Sequence, residues 1–309
     1  MSPGGRIAQP LPVPSGQYND IDETVTRRQI EQNFEDLYNV IEELKDDIEA
    51  LEALSGDFYF DVASGAVANH QGVNKFGQNL DIDTTTDPED VWDGGAVWAA
   101  PTEARVHDIV SASTDDAAAG TGAQTIRVYG LTSWDNAETF EDITMNGTTN
   151  VPTSNSWVIL HRMKVLTSGS GNANAGDITA TAQTDSTVTA QITAGKNQTL
   201  MAIYGIPSTQ TLYLHKWYMD MNRTAGTAGS AECELLVNES PDVNLDLFLV
   251  NHHVGLSATG SSHVTHEFYP PLPISGPAVV KVSVEEVSGN DTDISAGFDG
   301  VVATETPSS

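Results

Sequence analysis

The stretch LDIDTTTDPEDVWDGG, residues 80 to 95, gathers Asp81, Asp83, Asp87, Glu89, Asp90 and Asp93. Clustered carboxylate oxygens are what hard cations such as calcium take as ligands. The spacing lacks the glycine at position six and the glutamate at position twelve of a helix–loop–helix calcium loop, so a solvated acidic loop is the competing reading. Four histidines form a second constellation, His252 and His253 in NHH and His263 and His266 in HVTH, joined by VGLSATGSS. A hairpin could bring the two segments together, but alternation puts His263 and His266 on opposite strand faces, which opposes joint ligation. Neither group gives a metal site, and no cofactor is expected. His70, His107, His161 and His215 stand singly and read as structural.

Catalysis would need a convergent nucleophile, base and orienting group, or a carboxylate pair across a cleft. Carboxylates are so abundant that any pair could be picked, and no nucleophile elbow, phosphate loop or His-Glu-x-x-His motif occurs. The expectation is a protein that is not an enzyme. Trp157, Trp217, Tyr204, Tyr213 and Tyr218 sit in strand-like stretches, where they would either stack on sugars or fill a core. The one cysteine, Cys233 in SAECELLV, reads as an inert buried thiol and excludes an intrachain disulfide. Asn-x-Ser/Thr sequons at Asn146, Asn197, Asn222, Asn238 and Asn290 read as incidental.

Charge narrows the partners. Forty-three acidic residues against 13 basic ones give a net charge of −30. The excess is spread along the chain, 12 acids against 4 bases up to residue 55 and 31 against 9 beyond it. Nucleic-acid binding relies on Lys and Arg displacing counterions, so no nucleic-acid partner is expected. Such a chain repels itself until salt shortens the screening length, which suits a marine or hypersaline setting. No apolar run approaches the roughly 20 residues of a membrane span, and MSPGGRIAQPLPVPSGQ has no continuous apolar core of a signal peptide. No membrane partner is expected, and the chain should fold in the cytoplasm that makes it.

Three segments must position these groups. Residues 1–19 carry Pro3, Pro10, Pro12 and Pro14 among Gly and Ser, which suits an extended arm that is disordered or laid along a partner. Residues 20–55 predict a helix, with Asp20 as N-cap and Glu23 as its reciprocal partner. Ile30, Phe34, Leu37, Ile41, Leu44, Ile48 and Leu51 follow at alternating spacings of four and three, a heptad seam on a rod of about 36 Å. Tyr38, Val40 and Leu54 widen the apolar stripe, which favours three strands over two; one helix packed on its own domain is the alternative. From Gly56 the period changes to two, and about a dozen short strands without intervening helices predict a mainly β fold. The expected form is an antiparallel β-sandwich of jelly-roll type, 56–309, either one unit or two split near 166–176.

An arm, an oligomerising helix and a β-rich distal part resemble the plan of head fibres and short tail fibres of tailed viruses. The stretches ARVHDIVSASTDDAAAGTGAQTIRVYGLTSWDNAETFEDITMNGTTNVPT, GSGNANAGDITATA and PPLPISGPAVVKVSVEEVSGNDTDISAGFDGVVA are similar to virion structural proteins of marine and environmental tailed phages, over about residues 95 to 305. The resemblance implies a virion component, and the charge excess would suit a virus of halophiles. It implies a homotrimeric head decoration or head fibre held to the major capsid protein, or another virion protein, through Ile7, Pro10, Leu11 and Pro12. The alternative is a tail fibre or spike that recognises a host surface glycan.

Overall fold

The computed structural model describes residues 20–52, 56–222, 228–259 and 261–304. The chain divides into two compact units, Met1–Ala68 and Asn69–Ser309. The arm and its residues Ile7, Pro10, Leu11 and Pro12 lie outside the described residues, as does the side chain of Leu51.

In the first unit, helix α1 spans Asp20–Glu52. Polar pairs one turn apart line its solvent side, as where Gln32 Nε2 donates to Asp36 Oδ1 at 3.0 Å. Helix α2, Phe58–Ser64, corrects the expectation that no helix follows Gly56. Its cause is local capping: Asp57 Oδ1 accepts from the amides of Tyr59 and Phe60 at 3.1 and 3.2 Å. Gly65 closes the helix in the left-handed region at φ 79°.

The second unit is built of strands: β1 (His70–Ile82), β2 (Glu89–Asp90), β3 (Arg105–Ser111), β4 (Ala123–Leu131), β5 (Thr139–Thr144) and β6 (Val151–Trp157). Next come β7 (Ile159–Ser168), β8 (Ile178–Ala182), β9 (Thr187–Ile192), β10 (Ile203–Ile206) and β11 (Gln210–Asn222). The chain then forms β12 (Gly229–Asn238), β13 (Leu249–Ala258), β14 (Ser261–Ser275), β15 (Ala278–Val287) and β16 (Thr292–Thr304). They make four antiparallel sheets, ordered β1-β16-β11-β14, β10-β15-β12-β13 with β2 on β15, β6-β3-β8-β9, and β5-β4-β7.

The mainly β, antiparallel character agrees with the sequence, but the jelly-roll sandwich is corrected. Counted sheet by sheet the arrangement is propeller-like, four small sheets where a jelly roll has two. A period of two marks strands without naming their partners, and β1 pairs with β16 across the whole unit, His70 opposite Ala303. Pro270, Pro271 and Pro273 sit in β14 and Pro152 in β6, both edge strands, where a missing N–H costs no ladder bond.

Two hydrophobic clusters fill the unit. One lies between the first two sheets around Trp217, Phe298 and Leu235, and the other between the last two around Trp157, Ile126 and Met163. They share a wall: Ala202 and Tyr204 belong to the first cluster and Met201 and Ile203 to the second. Buried on both faces, β10 and residues 278–284 of β15 are continuous buried runs.

Loops of the second cluster converge on Asp116, which is fully buried. Its carboxylate accepts from Ser111 Oγ and the Ala123 amide, each at 2.6 Å. It also accepts from the amides of Ala175 and Gly176 at 2.8 and 2.9 Å, so the segment 166–176 is pinned to the start of β4. Asp116→Ala would strand these donors, and each buried unsatisfied donor costs roughly 1–3 kcal/mol. We expect a loss of about 3 kcal/mol or more in urea unfolding of the variant; an unchanged midpoint would refute the role.

Candidate functional site

The apolar seam of α1 is on its surface. Phe34 is 66% exposed, Leu37 54%, Ile41 51%, Leu44 48% and Ile48 54%, with Ile30 less so. Tyr38 and Val40 beside them are exposed as well. Spacings of three and four hold these side chains on one side of the helix.

A different site forms at an irregularity in β7. Tyr129 of β4 pairs with Arg162 and Gly130 with Leu160, which leaves His161 as an unpaired bulge residue. A Cβ on Gly130 would stand 2.0 Å from the Ile159 carbonyl oxygen, so the bulge requires glycine opposite it. The His161 carbonyl, freed from the ladder, accepts from Lys75 Nζ of β1. The His161 ring is 1% exposed and packs on Tyr204 of β10, centroids 4.7 Å apart. The Gly205 amide can only donate, so His161 Nδ1 accepts from it at 3.3 Å and Nε2–H donates to Glu138 Oε2 at 2.6 Å.

Arg162 and Lys164 follow His161 on β7, one on each side of the buried Met163. An Arg162 Nη2 hydrogen donates to the Asn74 carbonyl at 2.6 Å. Lys164 Nζ lies 5.2 Å from the centroid of the Tyr129 ring. These groups line a cleft of about 290 Å³ whose walls also include Gln71, Asn74 and Tyr204.

Burial governs the titration of the cleft. It pushes Lys75 well below the ordinary lysine value, and the Arg162 charge adds to the effect against the pull of Glu138. Burial likewise lowers His161, against the attraction of Glu138, and leaves its imidazole neutral at neutral pH. For Glu138, burial raises the value, but His161, Lys75 and Arg162 together outweigh it and hold the group below the usual carboxylate range. Tyr204 is raised by burial first and by Glu138 second.

The residues singled out in the sequence end up elsewhere. Of the acidic stretch, Asp81 and Asp83 meet Asp291, with oxygens within 4.8 Å of one another, and Asp83 Oδ1 accepts from the Asp291 amide. Glu89, Asp90 and Asp93 depart from a solvated loop because they satisfy inward-facing donors. Glu89 Oε2 accepts from Asn79 Nδ2 and the Ala96 amide at 2.7 and 3.0 Å, and Asp93 Oδ2 from the Leu200 amide at 3.1 Å. Burial raises both Asp90 and Asp93 above the ordinary aspartate value.

The hairpin reading of the histidine segments is also corrected, because β13 and β14 belong to different sheets. His252 and His266 stack across that gap with centroids 3.9 Å apart, while His253 pairs with Glu232 and His263 with Asp220. Trp157 and Trp217 are fully buried core residues, and burial pushes the Cys233 thiol up to about 12. The cleft escaped sequence reasoning, although HRMK on one strand, in a chain so poor in bases, was a signal.

Comparison of the chain with protein-family models, curated proteins and solved structures returns no match.

Two outcomes follow from this electrostatics. Lys75→Met removes a desolvated amine but also the donor to the His161 carbonyl, so unfolding free energy should stay within about 2 kcal/mol of wild type. A loss of several kcal/mol in denaturant titration would show that Lys75 is a structural strut. His107, fully buried and lowered chiefly by burial, shares the behaviour of His161. Below pH 6.5, the ordinary histidine value, the unfolded chain takes up protons that the folded one refuses. Stability present above pH 6.5 should therefore fall between pH 6.5 and 5.5, each histidine contributing at most about 1.4 kcal/mol per pH unit. Equal stability at both pH values would contradict the assignment.

Proposed function

We propose that the chain is a non-enzymatic structural protein of a tailed virus, a homotrimeric head decoration or fibre whose N-terminal arm docks on the capsid. The observation that carries the reading is the heptad seam of α1, whose apolar side chains stand about half exposed on the helix surface. Burying one such side chain against neighbouring helices contributes on the order of 1 kcal/mol. Summed over the seam of three chains, that offsets the entropy of bringing them together. Three helices side by side also place three β units and three arms at one locus, and repeated weak contacts of the arms add as avidity. The resemblance of the β region to virion structural proteins adds the setting, and the major capsid protein is the partner it implies.

Light scattering on the purified chain in about 1 M salt, where the screening length is ~3 Å, tests the assembly. The expected mass is three times the 32.9 kDa of one chain. The Leu37→Asp, Leu44→Asp double variant should be monomeric while keeping the circular dichroism of the β unit. A monomeric or dimeric wild type overturns the trimer. On intact virions, cryo-electron microscopy should place three-fold projecting density against the capsid lattice. Density on the tail instead would favour the alternative, a fibre or spike that binds a host surface glycan.

A further inference from the structure

Burying a lysine without a close ion pair is costly, and the cleft at the β7 bulge holds one. Lys75 is 3% exposed, and its Nζ is spent on a backbone carbonyl. Four other bases of the unit have carboxylates: Arg105 pairs with Glu103 and Asp185, Arg127 with Asp142, Lys216 with Asp299, and Lys281 with Asp90. Among the described residues, Lys75, Arg162 and Lys164 form no ion pair. Glu138, the one carboxylate that lines the cleft, hydrogen-bonds His161 Nε2–H and attracts Lys75 and Arg162 without forming an ion pair with either. In a chain with 43 acids and 13 bases, three unpaired basic groups around one void reverse the surrounding charge.

We propose that this cleft binds a small hydroxylated oxyanion, such as a sugar acid, with its carboxylate or sulfate group held by Lys75, Arg162 and Lys164. Arg162 spends one of its amino groups on Asn74 and keeps further N–H donors for an oxyanion. The amides of Gln71 and Asn74 and the phenols of Tyr129 and Tyr204 line the same void and suit hydroxyl groups. At about 290 Å³ the cleft takes one charged unit. At low ionic strength the net charge of −30 repels long polyanions from the chain. The depressed lysine is consistent with this role, because an anion seated beside Lys75 restores the charged form that burial disfavours.

The site lies within one chain, so it stands apart from the oligomeric reading. Isothermal titration calorimetry of the full-length protein with glucuronate, acetate, sulfate and glucose tests it. Glucuronate should bind with one site per chain and glucose should not. Lys75→Met and Arg162→Gln, each with thermal unfolding close to wild type, should weaken glucuronate at least tenfold. Affinity should be unchanged in the Leu37→Asp, Leu44→Asp variant. Acetate or sulfate binding as tightly as glucuronate would overturn the recognition of hydroxyl groups. Glucose binding equally well would overturn the oxyanion. Absence of glucuronate binding, or binding undiminished in both cleft variants, would overturn the site altogether.

Discussion

The arrangement of the second unit depends on one buried ion pair. Asp90 is fully buried, and its Oδ2 takes the Lys281 ammonium and the Trp98 amide, both at 2.7 Å. Lys281 belongs to β15, the strand with a face in each hydrophobic cluster, and its Nζ lies 4.3 Å from the centroid of Phe248. Trp98 belongs to the second cluster, where its indole donates to the Thr189 carbonyl at 2.8 Å. Between the two ends of this tie the chain crosses from core to core, with Val91 in the first and Trp92 in the second. Removing either partner would leave a buried charge uncompensated, which costs about 3–5 kcal/mol, whereas the intact pair contributes little net stability. What it supplies is position: it fixes where β2 meets β15, and hence where the two cores meet.

The wall between the two cores also braces the β7 bulge. His161 is held from three directions, by Glu138, by the Gly205 amide at the end of the shared wall, and by the ring of Tyr204, which reaches into the first cluster. Gly205 has no room for a side chain, because a Cβ there would stand 2.8 Å from Ile159 Cγ2. A carbonyl so rigidly placed can hold Lys75 Nζ without an ion pair. Groups kept in costly states by a rigid surround are where binding chemistry concentrates, since the surround does not relax when a ligand arrives.

Much of the backbone was legible in the sequence and little of the cleft. Heptad spacing from Ile30 to Ile48 predicts a helix, and α1 covers it. The alternations in ARVHDIVSAS and QTIRVYGLTSW predict strands, and β3 and β4 lie there. Partner choice was not legible, because the same alternation serves a sandwich or four separate sheets. The acidic stretch was misread for a related reason: Glu89 and Asp90 look solvated until Asn79, Trp98 and Lys281 are brought to them from elsewhere in the chain. Lys75, Glu138, His161 and Tyr204 are likewise distant in sequence, and the bulge that joins them leaves no mark except a glycine at 130.

The acidic surface and the basic cleft answer to salt differently. Charges on the surface of this chain repel one another over a screening length that shrinks to ~3 Å at about 1 M salt, so their effect fades there. Charges set among apolar walls are screened much less, because solvent and ions are kept from the space between them. Lys75 sits between Val73 and Gly77 on the inward face of β1, so salt screens its ammonium form less than it screens the surface charges. Salt therefore removes the repulsion that keeps anions from the chain as a whole and leaves much of the attraction at the one place built to receive them. An oxyanion site of this depth suits a strongly acidic protein in concentrated salt better than one in dilute solution.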